Sequence, residues 1–128
     1  MVAGKPIVVW IVDDIESVRK SIAAVLETAN MAVCDYASAT DFLAEFKPGS
    51  IGCLVVDHQM PDMTGLELLQ HLQAQSAAGA PPAIVITGHG NESLRQRLMA
   101  AGAVTMLNKP VDADELIDLI ERVMLNRR

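Results

Sequence analysis

The sequence predicts an α/β fold: a parallel five-stranded sheet, doubly wound, with helices covering both faces. Five short apolar runs alternate with five amphipathic segments along the whole chain, the order expected of β-then-α units. The strongest runs are continuously apolar and rich in β-branched residues, as strands buried on both faces are. The third observation is bulk. The chain has 128 residues, 51% hydrophobic and 20% charged, which suits one domain over 1–128 with a substantial core and excludes intrinsic disorder.

Each element has its own signal. Pro6–Val12 is apolar throughout and reads as the first strand. Ile15–Ala29 follows as a helix, with Val18, Ile22, Val25, Leu26 and Ala29 at helical spacing. Met31–Tyr36 is a weaker second strand. Ser38–Phe46 is a short helix with Ser38 as N-cap, stopped by Pro48-Gly49. Ile51–Val56 is the third strand and ends at Asp57. The loop 58–63 leads to a third helix, where Thr64 and Glu67 have capping-box spacing and Leu66, Leu69 and Leu72 form the apolar stripe. Ala83–Ile86 is the fourth strand, ending at Thr87. Asn91–Ala101 is a helix closed by Gly102. Ala103–Leu107 is the fifth strand. Asp112 and Glu115 then repeat the capping logic before a helix lined by Leu116, Leu119, Ile120, Val123 and Met124.

Composition removes several functions. Ten Lys and Arg against sixteen Asp and Glu give a net charge of −6, the wrong sign for direct nucleic-acid binding. Aromatic residues are 3% of the chain, too few for a base-stacking platform. No apolar run approaches the roughly 18–20 residues that span a bilayer. The first residues lack the basic flank and apolar stretch of a secretory signal, so the expected location is the cytoplasm. Cys34 and Cys53 sit in apolar stretches and read as reduced core thiols.

In a doubly wound sheet, ligands bind beyond the carboxyl ends of the strands. The first strand ends in Asp13-Asp14, the third in Asp57, the fourth in Thr87 and the fifth in Asn108-Lys109-Pro110. Taken singly, each has an ordinary explanation: Asp14 is a helix N-cap, Thr87 a loop residue, Lys109 a solvated cation, Pro110 a helix start. Their coincidence at four strand ends is what points to chemistry. Clustered carboxylates raise one another's pKa unless a cation intervenes. An all-oxygen set with few carboxylates suits Mg²⁺, with Mn²⁺ as a substitute. Aspartate is a nucleophile towards phosphoryl groups, and phosphoryl transfer requires mainly positioning and charge neutralisation.

With these residues in place, the chain resembles the receiver domains of two-component response regulators over essentially its whole length. The matching motifs are Val12-Asp13-Asp14, the run from Val55 to Gly65 with Asp57 near its start, Ile86-Thr87-Gly88, and Asn108-Lys109-Pro110. The stretch Ile86–Gly90 with Ala101-Gly102-Ala103 is most similar to the nitrogen-fixation regulator type. The resemblance implies a flavodoxin-like (βα)5 sheet of order 2-1-3-4-5. It implies that Asp57 accepts a phosphoryl group from a phosphohistidine on a sensor histidine kinase or histidine phosphotransfer protein. Asp13, Asp14, Asp57 and the backbone carbonyl of Gln59 would bind Mg²⁺. Thr87 and Lys109 would contact phosphoryl oxygens, Gln59 and His89 would tune hydrolysis, and the Lys109–Pro110 bond would be cis. His58 and His71 have no assigned role.

One departure stands out. Many family members carry Tyr or Phe three residues before the Lys, and here that position is Met106. Switching then proceeds through backbone shifts after the fourth strand, where Gly88 and Gly90 permit unusual dihedrals, or through a rotamer change of Met106. A simple core role for Met106 is the third option. The resemblance also implies an output or dimer face made by the fourth helix, fifth strand and fifth helix. There Arg95, Gln96 and Arg97 face outward, opposed in sign by Asp114, Asp118 and Glu121. The chain as given leaves no room for an output domain, so the expectation is either a free-standing receiver or one taken from a longer protein.

Two other classes compete. An Asp-nucleophile phosphohydrolase needs a general acid two residues after the nucleophile, where Gln59 stands. A flavin-binding fold needs a neutral phosphate loop where Asp13-Asp14-Ile15-Glu16 stands.

Overall fold

The computed structural model describes residues 5–75 and 77–126. The elements run β1 (Val8–Val12), α1 (Glu16–Thr28), β2 (Ala32–Tyr36), α2 (Ala39–Glu45), β3 (Cys53–Asp57) and α3 (Gly65–Gln75). A 3₁₀ turn at Ala77–Gly79 precedes β4 (Ala83–Thr87), α4 (Glu92–Ala100), β5 (Ala103–Asn108) and α5 (Ala113–Leu125). The strands pair in parallel in the order β2-β1-β3-β4-β5, as the resemblance implied.

The two-residue period of a strand divides the core into two layers. Trp10, Val12, Leu54, Val56 and Val85 meet Phe42, Leu68 and Leu98 on one face of the sheet. Val9, Ile11, Val55, Ile84 and Ile86 meet Leu26, Leu116 and Ile120 on the other. Every residue of β3 and β4 is buried, which explains why their runs carry no polar alternation. The chain's four aromatic residues form one cluster, with Trp10 against Phe42 and Phe46 at 6.1 and 5.4 Å and Tyr36 against Phe42 at 5.5 Å. That cluster holds the short α2 onto β1 and β2.

The caps follow the sequence closely. Asp41 N donates to Ser38 Oγ at 3.0 Å. Thr64 and Glu67 bond reciprocally, at 2.9 and 3.1 Å. Leu94 N donates to Asn91 Oδ1 at 2.8 Å and Glu115 N to Asp112 Oδ1 at 2.9 Å. Gly102 takes φ +98° after α4, a conformation that costs glycine little.

Three expectations change. Asp14 does not cap α1: the N-cap is Ile15, without a side-chain bond, and Asp13 takes the Ile15 amide. The third strand starts at Cys53 rather than Ile51, and Ile51 is 82% exposed. Cys34 is exposed while Cys53 is buried. β2 is an edge strand, and the seven-residue α2 leaves a groove between them where Cys34, Ala37, Asp41 and Ala44 meet solvent.

Gly52 marks a close approach. A Cβ there would lie 2.6 Å from Trp10 Cη2 and 2.9 Å from the Val8 carbonyl oxygen. Gly52→Ala should therefore push the indole out of the aromatic cluster and cost about 1–3 kcal/mol, the usual range for overpacking. Urea unfolding followed by Trp10 fluorescence measures this; an unchanged midpoint would refute the packing argument.

Candidate functional site

Sheet register assembles the site. Val12 and Val56 are partners across β1 and β3, so Asp13 and Asp57 leave neighbouring strands side by side. Carboxylate oxygens of Asp13, Asp14 and Asp57 lie within 4.8 Å of one another. Asp13 and Asp57 are each 3% exposed, while Asp14 faces solvent. Asp57 is the partner of Ile86 on β4, which puts Thr87 one step beyond it. Thr87 is the partner of Asn108 on β5, so Lys109 emerges next. Lys109 Nζ reaches 3.5 Å from Asp57 Oδ1, and the Lys109–Pro110 bond is cis.

Local bonds fix each group. Asp13 Oδ1 accepts from Ile15 N at 2.9 Å. Asp57 Oδ1 accepts a long bond, 3.5 Å, from Gln59 N. Thr87 Oγ1 accepts from His89 N at 3.1 Å, and the Thr87 carbonyl accepts from Lys109 N at 2.9 Å. Two buried carboxylates and one exposed one thus share a single nearby ammonium. Burial is the main cause that raises the Asp13 pKa above its ordinary value; the Ile15 amide opposes it, the Asp57 charge adds to it, and Lys109 offsets part. The all-oxygen donor set and its surplus of negative charge fit a hard divalent cation.

Comparison with known proteins decides the family. Residues 9–121 match the response regulator receiver domain. The chain belongs to the response regulator receiver family. The transcriptional regulatory protein FixJ of Azorhizobium caulinodans is 41% identical over 119 residues, 93% of this chain and 55% of that protein. FixJ of Rhizobium meliloti is 45% identical over 114 residues, 89% and 55% of the two chains. The crystal structure of FixJ-N superposes with a TM-score of 0.82 at 41% identity, covering 95% of this chain and 96% of that one. Full-length FixJ from B. japonicum superposes at 0.86 with 32% identity, over 96% and 60%. The receiver spans about half the length of the curated relatives it matches. It is a signalling domain of a two-component response regulator. None of its described helices is long and apolar enough to cross a membrane.

Within this receiver, Asp13, Asp14, Asp57 and Lys109 converge as the sequence predicts, with Thr87 at the adjoining strand end. Gln59 and His89 are exposed. Gln59 Oε1 lies over Gly88, 3.8 Å from where a Cβ would stand. Met106 is half-buried and packs against the core of the α2, α3 and α4 side. Gly90 contributes space rather than an unusual dihedral, since the positive-φ glycines among the described residues are Gly49 and Gly102.

Three residues carry roles that the sequence reading did not assign. Arg19 donates from Nη1 to the Asp13 carbonyl at 2.8 Å and from Nε to Asp35 Oδ2 at 2.9 Å, bracing the β1 end against β2. A signal existed: Arg19 sits four residues after Ile15 and three before Ile22, on the core-facing side of the helical pattern. His58 Nδ1 accepts from Leu66 N at 3.4 Å, and its carbonyl accepts from Gly65 N at 3.0 Å. Burial, the leading cause, lowers the His58 pKa, which favours the neutral acceptor that this bond uses. Asn108 Oδ1 accepts from Gly90 N at 3.2 Å. On the α4 and α5 surface, Arg95 pairs with Glu92 at 3.1 Å and Asp118 with Arg122 at 3.0 Å. Two of the charges expected to face a partner are thus engaged within their own helices, through exposed pairs that are individually weak.

The raised Asp13 pKa has a sign. Above the ordinary value of 3.8 the unfolded chain releases this proton while the fold retains it in part. Stability therefore falls as pH rises through that window. In metal-free buffer at pH 7, Asp13→Asn should unfold at higher urea than the native chain, with the gap closing as pH falls below 4 (roughly where both forms are neutral). A variant less stable at pH 7 would contradict the electrostatic account.

Proposed function

We propose that Asp57 is the phosphoacceptor of a histidine-to-aspartate phosphorelay. The observation that carries this reading is its position: a buried carboxylate at the end of a central strand, 3.5 Å from Lys109 Nζ and clustered with Asp13 and Asp14. An Asp57 carboxylate oxygen attacks the phosphorus of a phosphohistidine. The P–N bond breaks as the P–O bond forms, and the imidazole nitrogen keeps the electron pair and takes a proton from water. The product is an acyl phosphate on Asp57. Hydrolysis by water later returns the carboxylate and inorganic phosphate. The chain catalyses its own phosphorylation and dephosphorylation and is not an enzyme acting on free substrates.

The carboxylates of Asp13, Asp14 and Asp57 and the backbone carbonyl of Gln59 would hold Mg²⁺, or Mn²⁺ in its place. The cation supplies neutralisation of carboxylate and phosphoryl charge. Lys109 moves its ammonium from Asp57 to a phosphoryl oxygen, and the Thr87 hydroxyl donates its hydrogen to another. Gln59 and His89, at the mouth of the site, control the approach of water. Pro110 sets the path of the chain after Lys109.

A cleft of about 630 Å³ between α1 and the β5–α5 loop opens beside the site, with Val18, Ile22, Pro110 and Val111 in its walls. Its apolar walls suit a helix of the sensor histidine kinase or phosphotransfer protein that presents the phosphohistidine, in the cytoplasm. The receiver unit spans residues 1–128, and its α4–β5–α5 face is the surface for a homodimer or an attached output domain. It needs no direct contact with nucleic acid.

Incubation with Mg²⁺ and acetyl phosphate should yield a single phosphoryl adduct by intact mass. The adduct should disappear in EDTA and in Asp57→Asn. An adduct that persists in Asp57→Asn would move the acceptor elsewhere, and no adduct with Mg²⁺ bound would remove the phosphoacceptor reading.

A further inference from the structure

The loop from Thr87 to Glu92 leaves the site towards α4. Two of its consecutive backbone amides are held by side chains from two adjacent strand ends. His89 N donates to Thr87 Oγ1 at 3.1 Å. Gly90 N donates to Asn108 Oδ1 at 3.2 Å. Thr87 and Asn108 are register partners across β4 and β5, so the two acceptors stand side by side. Thr87 belongs to the site already described. Asn108 does not touch the acidic cluster in any recorded bond, yet it holds the next amide of the same loop.

Gly90 is fitted to that hold. A Cβ at position 90 would lie 2.5 Å from Asn108 Oδ1, 2.7 Å from Met106 Cε and 3.0 Å from Thr87 Cγ2. All three atoms meet at one point above the β4–β5 edge. Met106 and Asn108 are two residues apart on β5 and therefore share a face. The methyl of Met106 fills the floor beneath Gly90, and the amide oxygen of Asn108 forms the clasp. A side chain at 90 would displace the Asn108 amide oxygen and the Met106 methyl from these positions, which favours glycine there without recourse to its dihedral.

We infer that Asn108 is a positioning residue. Its bond to the Gly90 amide latches the β4–α4 loop in the resting state, and the latch opens when Thr87 is drawn to a modified Asp57. The inference rests on the reading of Asp57 as the phosphoacceptor. The link is geometric: the two amides are neighbours, so a movement of Thr87 Oγ1 that carries His89 N along displaces Gly90 N from Asn108. Met106, flexible and without a ring, follows the loop instead of blocking it.

The test is residue-resolved amide hydrogen exchange by NMR on the full chain, with and without Mg²⁺ and acetyl phosphate. In the resting native chain the Gly90 amide should be protected, and phosphorylation should speed its exchange about tenfold or more, the size expected from losing one bond worth ~1.4 kcal/mol. Asn108→Ala should exchange that fast before any phosphodonor is added. Asn108→Asp keeps an acceptor oxygen and should restore protection, a rescue that a purely structural role for the amide group would not give. Native-like Gly90 exchange in resting Asn108→Ala would overturn the latch, as would a native Gly90 amide unmoved while the adduct is present. Failure of the underlying reading looks different: the native chain takes no adduct by mass, and Gly90 exchange in the resting variants still decides whether the clasp exists. Core amides of β3 and β4 serve as the folding control for each variant.

Discussion

Parallel register forces two carboxylates out of water side by side, and the rest of the site answers that constraint. Asp13 and Asp57 follow strands that are locked together by Val9↔Cys53 through Val12↔Val56. Neither can withdraw without breaking the two core layers that the same residues build. A buried carboxylate is costly unless it is paired or bonded. The fold supplies partial compensation: the Ile15 amide to Asp13, a distant Gln59 amide and the Lys109 ammonium to Asp57. One ammonium does not balance three acids. The remaining demand is for positive charge with hard-ion character, and that demand is the chemical property that the site offers to a divalent cation.

The same economy of polar groups extends around the rim. Strand-end side chains take loop amides, and loop residues brace strand ends. Thr87 and Asn108 receive His89 N and Gly90 N. Arg19 reaches from α1 to the Asp13 carbonyl and to Asp35 on β2, tying three elements at one corner. Asp62 receives both the amide and the hydroxyl of Thr40, at 3.2 and 3.0 Å, which ties the β3–α3 loop to α2. Among the described residues no buried side-chain nitrogen or oxygen lacks a partner. The loops around the cluster are thus held by specific bonds as well as by apolar packing, with Met60 in the core and Met63 and Val111 packed against it. Such bonds exchange partners at small net cost.

Much of this was legible in the sequence, because the fold writes its periods plainly. Fully buried strands read as unbroken apolar runs, and Ser38, Thr64, Asn91 and Asp112 announce helix starts in the way their caps later show. The four strand-end motifs carried the site. What was not legible depends on distance in sequence. Cys34 looks apolar by its neighbours, but exposure depends on how far α2 extends over an edge strand. Asp14 looks like a cap, but the free Ile15 amide turns to Asp13 instead. Arg19 and Asn108 are polar residues whose partners lie across strands, at Asp35 and Gly90, and no local pattern names such partners. Gly90 invited an argument from dihedral freedom, whereas the structure gives it one from close approach.

Met106 packs against the core where many receivers carry an aromatic residue, and it meets Gly90 differently from a ring. An aromatic ring is a rigid plate whose face and edge differ. A thioether has more rotatable bonds and a narrow cross-section. It fills the floor under Gly90, with its methyl 2.7 Å from the vacant Cβ position, and presents no flat face to the loop. The directional contact at this point is of another kind. The hydrogen bond is the one such contact recorded for Gly90, because it is made or broken over a few tenths of an ångström whereas apolar contact fades gradually. Placing Asn108 two residues beyond Met106, on the same face of β5 and opposite Thr87, puts that directional contact one strand from the residue that follows Asp57's own register partner, Ile86.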